Sequence, residues 1–288
     1  MVAAHGRHYE IELADGERLK GFPRGKKILY ACGDEVDTVR ISADQLQILS
    51  NQPRRSLLYR SDAYREKLIA ANATQVLLVV ACEPSFSVEL LSRSLVGAES
   101  QGLSSIIVLN KIDLVGLLPA ARTQLASLVD LGYPLVEISA REDASALLPH
   151  LAGQLSVIVG QSGMGKSSLV NALVPGAAAA TREISSALDS GKHRTTHASL
   201  YRLGADAALI DCPGLQEFGL AHLDAGAIEQ GFVELKPYLG KCRFRDCRHQ
   251  AEPGCAIKEA VAQGKIDRQR LQYLQRLTAG SQGEPGRW

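Results

Sequence analysis

Leu155-Ser-Val-Ile-Val-Gly160-Gln-Ser-Gly-Met-Gly-Lys-Ser167-Ser-Leu-Val-Asn-Ala-Leu173 places an apolar run, a glycine-rich loop and a helix-like segment in direct succession. Gly160 to Ser167 fits the spacing G-x-x-x-x-G-K-[ST], and strand, loop and helix are the context that this motif requires. In Gly160, Gln161, Ser162, Gly163, Met164 and Gly165 the glycines let the backbone curl until its N–H groups face phosphate oxygens. The helix N-terminus at Ser168 adds a favourable dipole. Lys166 is expected to reach the β- and γ-phosphates as a catalytic group, and Ser167 to ligate Mg²⁺. Met164 reads as a space-filler within the loop.

A phosphate loop does not choose a base. Asn110-Lys-Ile-Asp113 does, at the end of the apolar run Ile106–Leu109. The Asp113 carboxylate accepts two hydrogen bonds from guanine, and adenine would leave it unpaired. Asn110 can donate to the base N7 and tie the loop down, and the Lys111 stem can cover the ring. Ser139-Ala140 follows Leu135–Ile138 and can present a backbone N–H to the guanine carbonyl. Asp211-Cys-Pro-Gly214 follows another buried-looking run. Asp211 is expected to hold the Mg²⁺ water shell and Gly214 to offer its N–H to the γ-phosphate. Thr195 or Thr196 completes the metal shell when GTP is bound.

Ordinary GTPases run phosphate loop, threonine, Asp-x-x-Gly, Asn-Lys-x-Asp, Ser-Ala. Here the base motifs at 110–113 and 138–140 precede the phosphate loop at 160–167, and the threonines and Asp211–Gly214 come last. The order is a circular permutation, which closely placed domain termini permit.

The rest of the chain frames this domain. Over 1–60, short alternating runs such as Tyr9–Leu13 and Val36–Ile41, broken at Asp15-Gly16 and Gly33-Asp34, suggest a small closed barrel of the oligonucleotide-binding (OB) type; an SH3-like barrel would read much the same. Over 61–221, apolar runs alternate with helical patterns such as Val88, Leu91, Leu95 and Ala98. This predicts a mostly parallel sheet with helices on both faces. Over 222–288, Cys242-x4-Cys247-x-His249-x5-Cys255 gives three thiolates and an imidazole within 14 residues. Four N/S ligands suit a closed, structural Zn²⁺ site. A helix is expected from about Ala256 to Leu277. Cys32, Cys82 and Cys212 read as small core residues. The fold class is thus a multidomain α/β protein: OB-type barrel, circularly permuted P-loop GTPase domain, zinc-binding helical domain.

Hydrophobic residues make up 45% and charged residues 22%, which excludes a disordered chain. No apolar run is long enough for a signal peptide or a membrane span, so a cytoplasmic protein is expected. Net charge is +1, unevenly spread: residues 61–235 carry 11 basic and 18 acidic side chains, residues 236–288 carry 11 and 5. The basic tail suggests a polyanionic partner. Arg243, Arg245 and Arg248 interleave with the metal ligands, where they could meet RNA phosphates.

With these motifs in this order, the chain resembles the RsgA/YjeQ family of small-ribosomal-subunit-dependent GTPases over nearly its whole length. The most telling stretches are Gly160–Ser168, Gly191–Thr196, Asp211–Gly214 through Gly219, and Cys242–Cys255. The resemblance implies GTP hydrolysis stimulated by the small subunit and its rRNA, a role in late subunit maturation, and His193 as the group that positions the attacking water. The position after Gly214 is Leu215, which cannot orient water. The chain departs from the family's G-x-H-T-T-T, with Arg194 in place of the first threonine. Thr195 is then the preferred Mg²⁺ ligand over Thr196. A monomer is expected.

Overall fold

The computed structural model describes residues 1–4, 8–25, 30–61, 66–174, 176, 198–212 and 215–281. Its strands are β1 Ala3–Ala4, β2 Tyr9–Glu12, β3 Arg18–Pro23, β4 Val36–Arg40, β5 Gln45–Asn51, β6 Leu57–Ser61, β7 Glu66–Ala71, β8 Gln75–Ala81, β9 Ser104–Asn110, β10 Leu135–Glu137, β11 Leu155–Val159, β12 Ser199–Arg202 and β13 Ala208–Asp211. The helices are α1 Val88–Ser100, α2 Leu118–Asp130, α3 Leu148–Leu151, α4 Lys166–Leu173, α5 Ala225–Gln230, α6 Ala256–Ala262 and α7 Arg268–Ser281.

One mixed sheet runs in the order β10-β9-β8-β11-β13-β12-β1-β2-β3-β5-β4. From β10 to β13 every pairing is parallel, and β12 is antiparallel to β13. All seven residues of β8 are buried, as a parallel strand covered on both faces requires, so it reads as an unbroken apolar run rather than an alternating one. The chain winds outward from β8 through β9 to β10. It then returns to β11 and winds the other way through β13. The carboxyl ends of β8 and β11 therefore flank a topological switch point, the crevice where such sheets bind ligands.

The N-terminal strands extend the sheet through β1, which pairs with β12 at Ala3 and Ser199. They curl around their own core of Met1, Tyr9, Ile11, Leu19, Tyr30, Leu46 and Ile48. The chain returns to its start where the Gly33 N–H donates to the Met1 carbonyl at 2.9 Å. This is the small barrel expected for the head. The β6–β7 hairpin lies across residue 60 and touches the neighbouring parts. Ala70 bridges Cys32 of the head, and Tyr59 O accepts from Gly219 N.

Helix α1 has two buried faces. Leu91, Leu95 and Ala98 join the main core, and Val96 joins a second core with Phe232, Leu235, Ile257 and Leu274 of the C-terminal part. The single helix expected over 256–277 is two helices. Gly264 (φ 70°) closes α6 in the left-handed conformation, with its N–H on Val261 O. Asp267 then starts α7 by accepting from Gln269 N at 2.7 Å.

Arg270 on α7 is 2% exposed and ties these layers together. Its Nε and Nη2 donate to Glu234 at 2.5 and 3.3 Å, its Nη1 donates to Ser92 Oγ of α1 at 2.7 Å, and its guanidinium lies 4.7 Å from the Phe232 ring centroid. Arg270→Ala leaves the Glu234 carboxylate buried without a counter-charge, and should cost about 3–5 kcal/mol in urea unfolding. Arg270→Met combined with Glu234→Leu should recover most of that loss.

Candidate active site and metal centre

Each expected nucleotide motif that the structure describes sits at the carboxyl end of a parallel strand. β9 ends in Asn110, β10 leads to Ser139, β11 to the phosphate loop, and β13 ends in Asp211. His193, Thr195, Thr196 and Gly214 lie outside the described residues.

The phosphate loop is shaped by close approaches. A Cβ on Gly160 would lie 2.3 Å from Val79 O, and one on Gly165 would lie 2.3 Å from Asn110 Nδ2. Gly165 (φ 88°) is the N-cap of α4, and no side chain caps that helix. Its first N–H groups are therefore left for an anion. Lys166 Nζ donates to the carbonyls of Gly160 and Gln161. Burial lowers its pKa, opposed by the nearby Asp211. Burial raises the Asp211 pKa, opposed in turn by Lys166. Ser162, Ser167 and Ser168 are exposed, while Met164 is buried as a space-filler should be.

The base loops are tied to the phosphate loop by one side chain. Asn110 is buried; its Nδ2 donates to Met164 O at 2.9 Å, and its Oδ1 accepts from Lys111 N at 2.8 Å and Ala140 N at 2.9 Å. The Ala140 N–H thus has a partner inside the protein. Lys111 holds φ 63°, and its Nζ donates to Glu83 O at 2.7 Å. Ser139 Oγ donates to Asp113 Oδ1 at 2.8 Å, which aims the carboxylate and leaves Oδ2 to be shared with a ligand. The sequence pattern points only to a backbone role for Ser139; the hydroxyl contact exists only in the fold. Ala140 and Ser168 line a groove of about 640 Å³ between the 140–148 loop and α4.

Gln161 is expected from sequence only for its backbone. Its side-chain Oε1 accepts from Ser87 N, the N-cap of α1, at 2.6 Å. Leu215 is buried, its carbonyl accepts from Gly160 N at 3.3 Å, and its N–H donates to Cys212 O.

A family model described as RsgA GTPase matches residues 51–221. The chain belongs to the RsgA GTPase family. Members of this RsgA GTPase family hydrolyse GTP, and so does this chain. A small ribosomal subunit biogenesis GTPase RsgA of Nitrosomonas europaea is 51% identical over 97% of this chain and 90% of its own length. Its counterpart in Burkholderia pseudomallei is 55% identical over 92% and 86%. The crystal structure of YjeQ from Thermotoga maritima superposes with a TM-score of 0.73 at 28% identity, covering 99% of this chain and 98% of that one. YloQ, a circularly permuted GTPase, gives the same TM-score at 23% identity and shares the fold.

The second site is the Cys242, Cys247, His249 and Cys255 cluster, whose ligand atoms all lie within 4.8 Å of one another. His249 Nδ1 is 3.6, 3.5 and 3.3 Å from the sulfurs of Cys242, Cys247 and Cys255, and the Cys242 and Cys255 sulfurs are 3.9 Å apart. A tetrahedron with metal–sulfur bonds of about 2.3 Å and metal–nitrogen bonds of about 2.1 Å has edges of about 3.5–3.8 Å, so the residues fit such an ion. His249 Nε2 lies 3.2 Å from Glu229 Oε1, which directs Nδ1 to the cluster centre. The Glu229 carboxylate beside it raises the imidazole pKa to about 9. Burial pushes the Cys247 thiol up to about 12. For Cys255 burial opposes the thiolate, but hydrogen bonds led by the Lys258 N–H outweigh it and lower the pKa. Metal binding must therefore displace protons. Metal analysis is expected to find one ion per chain. Chelation should speed proteolysis between 240 and 255 while leaving nucleotide binding intact, and Cys255→Ser should abolish metal retention.

Proposed function

We propose that this chain is a GTP-hydrolysing maturation factor of the small ribosomal subunit, acting as a cytoplasmic monomer. Residues 1–60 serve as an RNA-binding barrel, 61–221 as the switch, and 222–288 as a metal-stabilised module facing rRNA. The names of its relatives, which identify them as biogenesis GTPases of that subunit, support the partner. The observation that carries the nucleotide assignment is the uncapped start of α4, tied through Asn110 to a carboxylate already aimed by Ser139.

In this reading Asp113 pairs with guanine, and Asn110 keeps one Nδ2 hydrogen for the base. The Lys111 stem covers the ring, and the guanine carbonyl competes with Asn110 for the Ala140 N–H. Gly160, Gln161, Ser162, Gly163, Met164, Gly165, Lys166, Ser167 and Ser168 cradle the phosphates. Ser167 and Thr195 or Thr196 would hold Mg²⁺, with Asp211 on its water shell. That ion neutralises charge on the β- and γ-phosphate oxygens. The four-ligand cluster would hold Zn²⁺, and the lack of an open position gives that ion a structural role.

Water must be positioned by something other than the residue after the switch glycine. Leu215 is apolar, packed in the core, and anchored to Gly160 by its carbonyl. His193 takes the role, and is effective once the ribosomal subunit orders its loop. Turnover of GTP should rise strongly with small subunits and stay basal with large subunits. His193→Ala should lose the stimulated rate, at least tenfold, and keep GTP affinity. A wild-type chain that is equally slow with both subunits would overturn the ribosomal reading.

The base assignment has a separate check. Asp113→Asn replaces one acceptor pair with an amide that suits xanthine. Competition binding should show GTP affinity falling by a hundredfold or so, at about 1.4 kcal/mol per tenfold, while xanthosine triphosphate affinity rises. Unchanged GTP binding would remove Asp113 from the base site.

A further inference from the structure

We propose that the metal-clamped loop at 241–250 is a platform for one unpaired RNA base, stacked on Phe244 and flanked by Arg243, Arg245 and Arg248. The proposal rests on the reading that the partner is RNA, and names the form of RNA that this loop takes.

Phe244 is 41% exposed. The fold holds it there. Its neighbours Cys242 and Cys247 are ligands of the metal cluster, Arg243 N donates to Gly254 O at 2.9 Å, and Cys247 N donates to Phe244 O at 3.4 Å. The backbone on both sides of the ring is thus held. Leaving an aromatic ring in water forfeits the burial that rings of this size normally gain.

The charges around it are equally unspent. Lys241, Arg243, Arg245 and Arg248 are all exposed. Among the described residues none of them forms an ion pair, whereas eight arginines elsewhere do. Asp246 is the one carboxylate carried by residues 241–250, and the Glu252 carboxylate caps the loop by accepting from Arg248 N at 2.9 Å and Gln250 N at 2.8 Å. The Arg243 guanidinium sits 5.5 Å from the Phe244 centroid, a cation–π distance that presents ring and charge together.

An exposed ring among guanidinium groups that form no ion pair among the described residues matches a single strand. Its unstacked bases offer π-faces and its phosphates offer charge. A duplex keeps its bases stacked inside and offers the ring nothing. Acidic peptides would satisfy the arginines and leave the ring unused.

The test uses the full metal-loaded chain with a fluorescent 12-nucleotide single-stranded RNA, a 12-base-pair RNA duplex and a poly-glutamate peptide. The wild type should prefer the single strand. Phe244→Ala should weaken single-strand binding about tenfold, within the range of about 5- to 150-fold that stacking of one base supports, and leave duplex binding unchanged. Phe244→Tyr should bind like wild type, and Phe244→Leu like Phe244→Ala. Metal content is measured on every variant; if Phe244→Ala loses its ion, the tyrosine and leucine variants decide. Arg245→Gln should weaken both RNAs and flatten the salt dependence. Equal single-strand affinity for the tyrosine and leucine variants, or wild-type preference for duplex or peptide, would overturn the platform. The readout is free RNA, so failure of subunit-stimulated turnover would sink the ribosomal reading without touching this result.

Discussion

The buried side chain of Asn110 is the contact on which the nucleotide site depends. One amide joins three loops: its own at the end of β9, the Ser-Ala loop through Ala140 N, and the phosphate loop through Met164 O. Each of these groups would be costly to leave unpaired in so dry a place. The same contact explains Gly165, because any side chain there would collide with Asn110 Nδ2. It also explains why the motif order along the chain is free. The partners lie 30 and 54 residues apart in sequence and meet only because neighbouring parallel strands end together. Permuting the chain leaves that meeting intact.

Permutation changes which part of the chain the switch leads into. After Asp211 the chain passes Leu215, which is bonded to the phosphate loop, and then Phe218, which packs on Gly97 of α1. Arg93 of α1 donates to Phe218 O at 3.2 Å and lies 3.3 Å from Glu217. The same helix is capped at Ser87, whose N–H binds Gln161 of the phosphate loop, and is held from outside by Arg270. Helix α1 therefore touches the phosphate loop, the exit of the switch and the C-terminal helix at once. Packed side chains and hydrogen bonds thus join the segment after Asp211 to the C-terminal part through α1.

Much of this is legible in the sequence, for a physical reason. Phosphate and guanine recognition need particular residues at fixed local spacings, and so does a four-ligand metal site. The buried parallel strands announce themselves as apolar runs because both of their faces are covered. What the sequence conceals is tertiary. Gln45–Asn51 and the β6–β7 hairpin escape a reading by pattern, since half-polar strands carry a weak one. The break at Gly264 is hidden because one glycine in a helical stretch is ambiguous until its φ is known. Ser139 aiming Asp113, Gln161 accepting from the N–H of the α1 cap residue Ser87, and Arg270 reaching Ser92 across 178 residues have no local signature at all.

The cluster of three cysteines and a histidine lies among short helices, six residues in α5 and seven in α6, too small to be stable alone. Cys255 is at once a member of that cluster, a member of the second core and the N-cap of α6. His249 takes a left-handed backbone (φ 59°) that a non-glycine residue adopts only when its surroundings insist. Here Glu229 of α5 holds its ring and Gln275 of α7 donates to its carbonyl at 2.5 Å. An ion bound by these four residues therefore fixes α5, α6 and α7 relative to one another. Together with Arg270, such an ion would hold two short helices and α7 against α1.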